Sequence, residues 1–141
     1  MIGEKREHEK QKSYLGFVLW IFGMASAQLA TVLLPKMDSH LQIVIYMNIV
    51  VISIFVLSLI IYLTENVYWY NGVEFSEALE AGTEKRKAYA LSHMKRFGGF
   101  TGIFIVYSCI SILIGIPKGI DIIIAVVGLI STAISTIHIK L

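Results

Sequence analysis

The sequence is short of charge. Only 16% of its 141 residues are Asp, Glu, Lys or Arg, against roughly 25% in an average soluble domain. Four stretches contain none at all: Ser13 to Pro35, Leu41 to Thr64, Phe97 to Pro117 and Ile122 to Ile139. Ion-coupled transporters, proton relays and voltage sensors need ionisable groups at membrane depth, because coupling requires a charge that changes its partner or protonation. Those classes are disfavoured. Cysteine is nearly absent too. Cys109 stands alone, so no disulfide can form within the chain, and its place in an uncharged stretch reads as small apolar packing.

Catalytic patterns are also missing. The histidines, His8, His40, His93 and His138, have no HExxH spacing and no nearby second ligand, so no metal site is expected. Cys109 lacks a positioned histidine. There is neither a Gly-x-Ser-x-Gly elbow nor a phosphate-binding glycine loop. The expectation is a protein without a cofactor that is not an enzyme.

What is present is apolar: 56% of residues are hydrophobic, and the mean hydropathy is +0.72. Each uncharged stretch approaches the ~20 residues that cross ~30 Å of hydrocarbon. One such stretch fits a buried core helix, but four would leave so short a chain without a polar shell. The fold class expected is therefore all-α: an integral membrane bundle of four transmembrane helices. The spans are placed at 13–35, 41–64, 97–116 and 120–139, with a lead at 1–12 and a loop at 65–96. The second span is rich in β-branched residues, yet a lone strand in lipid would leave its backbone unsatisfied, so helix wins. The links Pro35–His40 and Ile116–Gly119 are short, which predicts two antiparallel hairpins. Asp38 or Ser39 supplies a cap for the second span.

Leu15 to Met24 followed by Ala25-Ser26-Ala27 also has the form of a signal-peptide core with a cleavage site. Glu4, Glu7 and Glu9 in the lead, and the apolar run continuing through Leu29 to Leu34, argue for a retained span.

The distribution of positive charge orients the chain. Lys5, Arg6, Lys10 and Lys12 precede the first span, Lys85, Arg86, Lys87, Lys95 and Arg96 lie between the second and third, and Lys140 follows the fourth. The other two links carry only Lys36 and Lys118. Ten against two puts both termini and the long loop on the cytoplasmic side of a cell membrane. The basic residues alternate with acidic ones, so the partner is the lipid bilayer rather than nucleic acid.

The loop reads as an amphipathic helical segment. Tyr62, Tyr68, Trp69 and Tyr70 mark the interface, and Asn71-Gly72 is a turn. Glu74, Glu77, Glu80 and Glu84 come first and the basic residues last, which complements a helix dipole. Gly82 reads as the C′ residue of one short helix and Thr83 as the N-cap of another running into the third span, with a joint at Gly98-Gly99. Lys85, Arg86, Lys87, Lys95 and Arg96 are placed against inner-leaflet headgroups, Lys85, Arg86 and Lys87 at ~1 kcal/mol each; the alternative is that the loop is a docking surface for a partner.

Two amides lie at membrane depth, Gln28 and Asn48. They either join helices, at roughly 0.6–2 kcal/mol per bond, or line a polar pathway. Asp121, one turn into the fourth span, is placed among first-turn N–H groups. Small residues mark helix faces for close packing, within the chain or across a homo-oligomer: Gly16, Gly23, Ala27 and Ala30; Gly98 and Gly102; Gly128, Thr132 and Thr136.

The segment Tyr70-Asn71-Gly72 through Ser76-Glu77-Ala78 to His93 and Gly98-Gly99 resembles one in small bacterial membrane proteins, the SdpI-like immunity proteins and related families. The likeness covers roughly Glu65 to Lys118. Gly72-Val73-Glu74 stands where that pattern has an arginine-containing turn. The resemblance implies a non-enzymatic role in self-protection or membrane signalling. The function expected is that of a small polytopic membrane protein acting through contact with a protein partner. The alternative is a homo-oligomeric pore or passive small-solute transporter.

Overall fold

The computed structural model describes residues 12–33, 35–70 and 72–141. Most of the expected lead, including Lys5, Arg6, His8 and Lys10, lies outside the described residues, as do Leu34 and the Asn71 of the expected turn. Every regular element among the described residues is helical. Helix α1 runs Leu15–Ala30 and tightens into a 3₁₀ turn at Thr31–Leu33. Helix α2 is Ser39–Thr64, α3 is Phe75–Glu80, α4 is Gly82–Ile114 and α5 is Lys118–Thr136. Four of these, all but α3, are long and apolar enough to cross a membrane.

Local chemistry sets the ends. Asp38 caps α2, its carboxylate accepting from the N–H groups of His40 and Leu41, which satisfies two orphan donors of the first turn. At its other end α2 stops at Glu65, a non-glycine residue at φ 58°. Gly82, at φ 75°, follows the last turn of α3 as the expected C′ glycine. Helix α4 ends in Gly115 at φ 74°, whose N–H bonds the Ser111 carbonyl. Pro117 then opens α5 as its N-cap.

Helix α4 is one unbroken helix of 33 residues, about 50 Å long at 1.5 Å per residue. The expected joint at Gly98-Gly99 is absent, because Gly98 sits inside the helix and receives the ring of Phe55 from α2. Some 30 Å of that length would suffice to cross hydrocarbon, and all the charged residues of the helix lie before Phe97.

Helices α2, α4 and α5 pack on one another, with Val51, Phe104 and Ala125 buried where they meet. A second buried cluster, Ile61, Val67, Tyr68, Ala78, Tyr89 and Ala90, closes one end of the bundle. Helix α1 packs on α2. The Trp20 indole donates to the Ser53 carbonyl at 2.7 Å, and the Trp69 ring lies over Gly16. No residue of α1 is buried.

Candidate functional site

The inward face of α4 is more polar than an apolar bundle requires. Thr101, Phe104, Ser108 and Ser111 are buried, at steps of three, four and three that keep them on one helix face. Three of the four carry hydroxyls, and two of those hydroxyls meet groups from other helices.

At the level of Ser111, three polar side chains from two helices converge on one carboxylate of a third. Asp121 of α5 is 1% exposed. Its Oδ1 accepts from the Ser111 hydroxyl at 2.6 Å and from the Tyr107 hydroxyl at 2.8 Å. His40 Nε2, from the first turn of α2, lies 2.8 Å from Oδ2 and 3.2 Å from Ser111 Oγ. A buried carboxylate is costly unless hydrogen-bonded and paired, and here three donors surround it. Asp121 therefore does not cap its own helix, as its first-turn position suggests, and α5 has no side-chain cap bond. Its side chain points into the bundle, where the donors are.

The residue types are those of a serine triad, but the arrangement differs. A triad sets the acid on one imidazole nitrogen and the serine on the other. Here both face Nε2, and Ser111 gives its proton to Asp121. Ser111 is also wholly buried. This geometry ties three helices together. Among the described residues there is no group of three His, Cys, Asp or Glu side chains able to hold a metal.

Deeper in the bundle, Asn48 Nδ2 donates to Ser108 Oγ and to the Val44 carbonyl, both at 2.8 Å. Asn48 thus joins α2 to α4. Gln28 does not act in the same way: its Oε1 is enclosed without a hydrogen-bond partner among the described residues.

The opposite end of the bundle holds a second polar group. Arg86 is 4% exposed; it donates to Glu65 Oε2 through Nε and Nη2 at 3.3 and 3.1 Å, to the Ala78 carbonyl at 2.9 Å and to Thr83 Oγ1 at 3.1 Å. Lys87 approaches the same Glu65 at 3.7 Å. The placement of Arg86 against lipid headgroups is corrected: its guanidinium is consumed inside the protein, where it braces the left-handed Glu65 and the end of α3. Of the other basic residues, Lys85, Lys87 and Lys95 are exposed, as is Arg96, which donates to the Ser135 carbonyl of α5.

Beside Arg86, the ring of His93 stacks on Tyr70, with centroids 4.3 Å apart, and tilts against Tyr89 at 4.4 Å. His93 Nδ1 donates to the Tyr89 carbonyl at 3.0 Å. Burial lowers the His93 pKa, the Tyr89 carbonyl bond opposes this, and Arg96 adds to it. The imidazole is thus neutral at pH 7. Burial, with Tyr89 beside it, pushes the Tyr70 phenol upward.

The small residues divide. An added Cβ would strike Trp69 at Gly16, Phe55 at Gly98 and Phe100 at Gly128, so these three are sites of close approach. Gly23 and Gly102 have nothing within 4 Å, and Ala27 is exposed. Thr132 returns its hydroxyl to the Gly128 carbonyl. Among the described residues, therefore, Gly23 and Gly102 seat no neighbouring side chain, and Gly23 instead borders an open groove against α2.

Sequence reasoning passed over the group around Asp121. The signal was available in part, since Tyr107 and Ser111 are four apart and share a helix face. His40 and Asp121, however, open two different spans, and only their packing brings them together. No family model, curated protein or solved structure matches the chain.

Proposed function

We propose that the chain is a polytopic protein of the cell membrane that acts, without catalysis, by binding a protein partner within the bilayer through its first helix. In this reading the four spans form two antiparallel hairpins, with both termini and the segment 65–96 on the cytoplasmic side, as the ten-to-two distribution of Lys and Arg favours.

The observation that carries the proposal is the contrast between α1 and the rest. Helices α2, α4 and α5 are locked by Asp121 and its donors and by Asn48, whereas α1 buries no residue at all. A membrane helix gains stability chiefly by close packing and interhelical hydrogen bonds, and α1 makes little use of either. Its small residues with open space, Gly23 and exposed Ala27, are of the kind by which spans associate, and the enclosed Gln28 carbonyl beside them lacks a hydrogen-bond partner among the described residues. A groove of 480 Å³ runs beside them, lined by Leu19, Trp20, Gly23, Ile52 and Val56 among others.

The pore reading has less behind it. Asn48 spends both its donors inside the protein, and Val51, Phe104 and Ala125 fill the middle of the bundle. Gln28→Leu and Gly23→Leu separate the two. Under the contact reading both variants stay folded and lose a complex that the wild type forms in its host membrane. A change in solute flux through liposomes, with assembly intact, would refute that reading in favour of the pore.

A further inference from the structure

A cavity of 680 Å³ lies between the ends of α2 and α5 and the part of α4 around His93. Its walls are largely apolar, with Leu57, Phe97, Ile130 and Ile134 among them; of its polar side chains, Ser58 and Thr136 return their hydroxyl protons to carbonyls of their own helices, and the others are Tyr70, Tyr89 and His93. Ligand sites of about 300–1,000 Å³ characteristically combine an apolar lining with a few placed polar groups. No Asp, Glu, Lys or Arg is among the described residues that line this one. The cavity is therefore matched to an uncharged occupant.

The polar groups say more about its chemistry. His93 gives its Nδ1 proton to the Tyr89 carbonyl, which only accepts. The neutral ring then presents Nε2 as a bare acceptor, and no side chain among the described residues donates to it. The Tyr70 hydroxyl is enclosed, also without a hydrogen-bond partner among the described residues. An acceptor and an unpaired hydroxyl thus lie on two rings stacked 4.3 Å apart. A carboxylate or phosphate ester offers no proton to His93, whereas a hydroxyl group donates to one ring and accepts from the other. Depth agrees with this. His93 lies one turn before Phe97, where the uncharged stretch begins, so the polar end is at headgroup level and the apolar walls run into hydrocarbon.

We propose that this cavity binds a neutral membrane amphiphile headed by a hydroxyl group, which donates to His93 Nε2 and accepts from the Tyr70 hydroxyl, with its apolar body between Leu57, Phe97 and Ile134. The site is separate from the α1 surface and does not depend on a partner there. Two membrane sources carry this head chemistry, a diacylglycerol and a quinol.

The test is thermal unfolding of the purified full-length protein in detergent, titrated with dioctanoylglycerol, with a decyl-substituted hydroquinone and with decanoate as a charged control. The wild type should gain a saturable rise in melting temperature with a hydroxyl-headed probe and none with decanoate. Saturation by the glycerolipid alone assigns a lipid, by the hydroquinone alone a quinol, and by both the shared hydroxyl chemistry. His93→Phe keeps the stacked ring and loses the acceptor, so affinity should fall about tenfold. Tyr70→Phe deletes the unpaired hydroxyl. It should melt no lower than wild type without ligand, and the ligand's effect should shrink. Should His93→Phe fail to fold, Tyr70→Phe alone decides. The proposal is overturned if neither hydroxyl probe saturates, if decanoate does as well, or if the folded variants respond as the wild type does.

Discussion

Replacing Asp121 with alanine is the sharpest probe of how the bundle is held. The substitution removes the acceptor of three groups: Ser111 and Tyr107 at 2.6 and 2.8 Å on one oxygen and His40 at 2.8 Å on the other. Interhelical polar contacts in membranes contribute about 0.6 kcal/mol on average and up to about 1.7, so three contacts give roughly 2–5 kcal/mol. Leaving a buried donor without its acceptor costs about 1–3 kcal/mol, which is of the same order. Taking ~3 kcal/mol, and ~2–4 °C of melting temperature per kcal/mol near this chain length, Asp121→Ala should melt about 6–12 °C below wild type. Trp20 and Trp69 are the two tryptophans, and their fluorescence reports the melt in detergent. Asp121→Asn keeps one carbonyl acceptor and should lose about half as much. His40→Ala combined with Asp121→Ala should be less damaging than the sum, by ~1–2 kcal/mol of coupling. A melt of Asp121→Ala within about 2 °C of wild type, or strict additivity with His40→Ala, would refute the account of this cluster.

Two further variants test the packing and the brace at the far end. Gly128→Ala would set a Cβ into the Phe100 ring and should cost ~1–3 kcal/mol by overpacking; Gly102→Ala, mid-helix with open space around it, should not lower the same fluorescence melt. Arg86→Leu strands the Ala78 carbonyl and leaves the Glu65 carboxylate with Lys87 alone among the described residues, at about 2–4 kcal/mol. Limited proteolysis should then cut between Glu65 and Gly82 faster than in wild type, while equal cutting rates would show that Arg86 does not hold this segment.

The helices were legible because their signal is one of composition. An uncharged run of some 20 residues has few alternatives, and Asp38 and Gly82 marked two ends by their own side-chain chemistry. The site was less legible, since it depends on which faces meet. Asp121 looks like a first-turn anion until His40, 81 positions away, is brought beside it. Arg86 looks like its exposed neighbours Lys85 and Lys87 by charge alone. One position in a helix rotates the side chain by 100°, which carries it from the surface to the Ala78 carbonyl. Gly98 and Gly102 share a spacing motif, yet only Gly98 meets Phe55. The motif specifies small size but not what lies opposite.

The central claim is that α1 is a contact surface for a protein partner in the membrane. Native mass spectrometry of the full chain, gently extracted from its own host membrane, tests it most directly. The account predicts a second polypeptide at fixed stoichiometry that is lost on Gly23→Leu. A lone monomer, or an assembly that Gly23→Leu leaves intact, would contradict it.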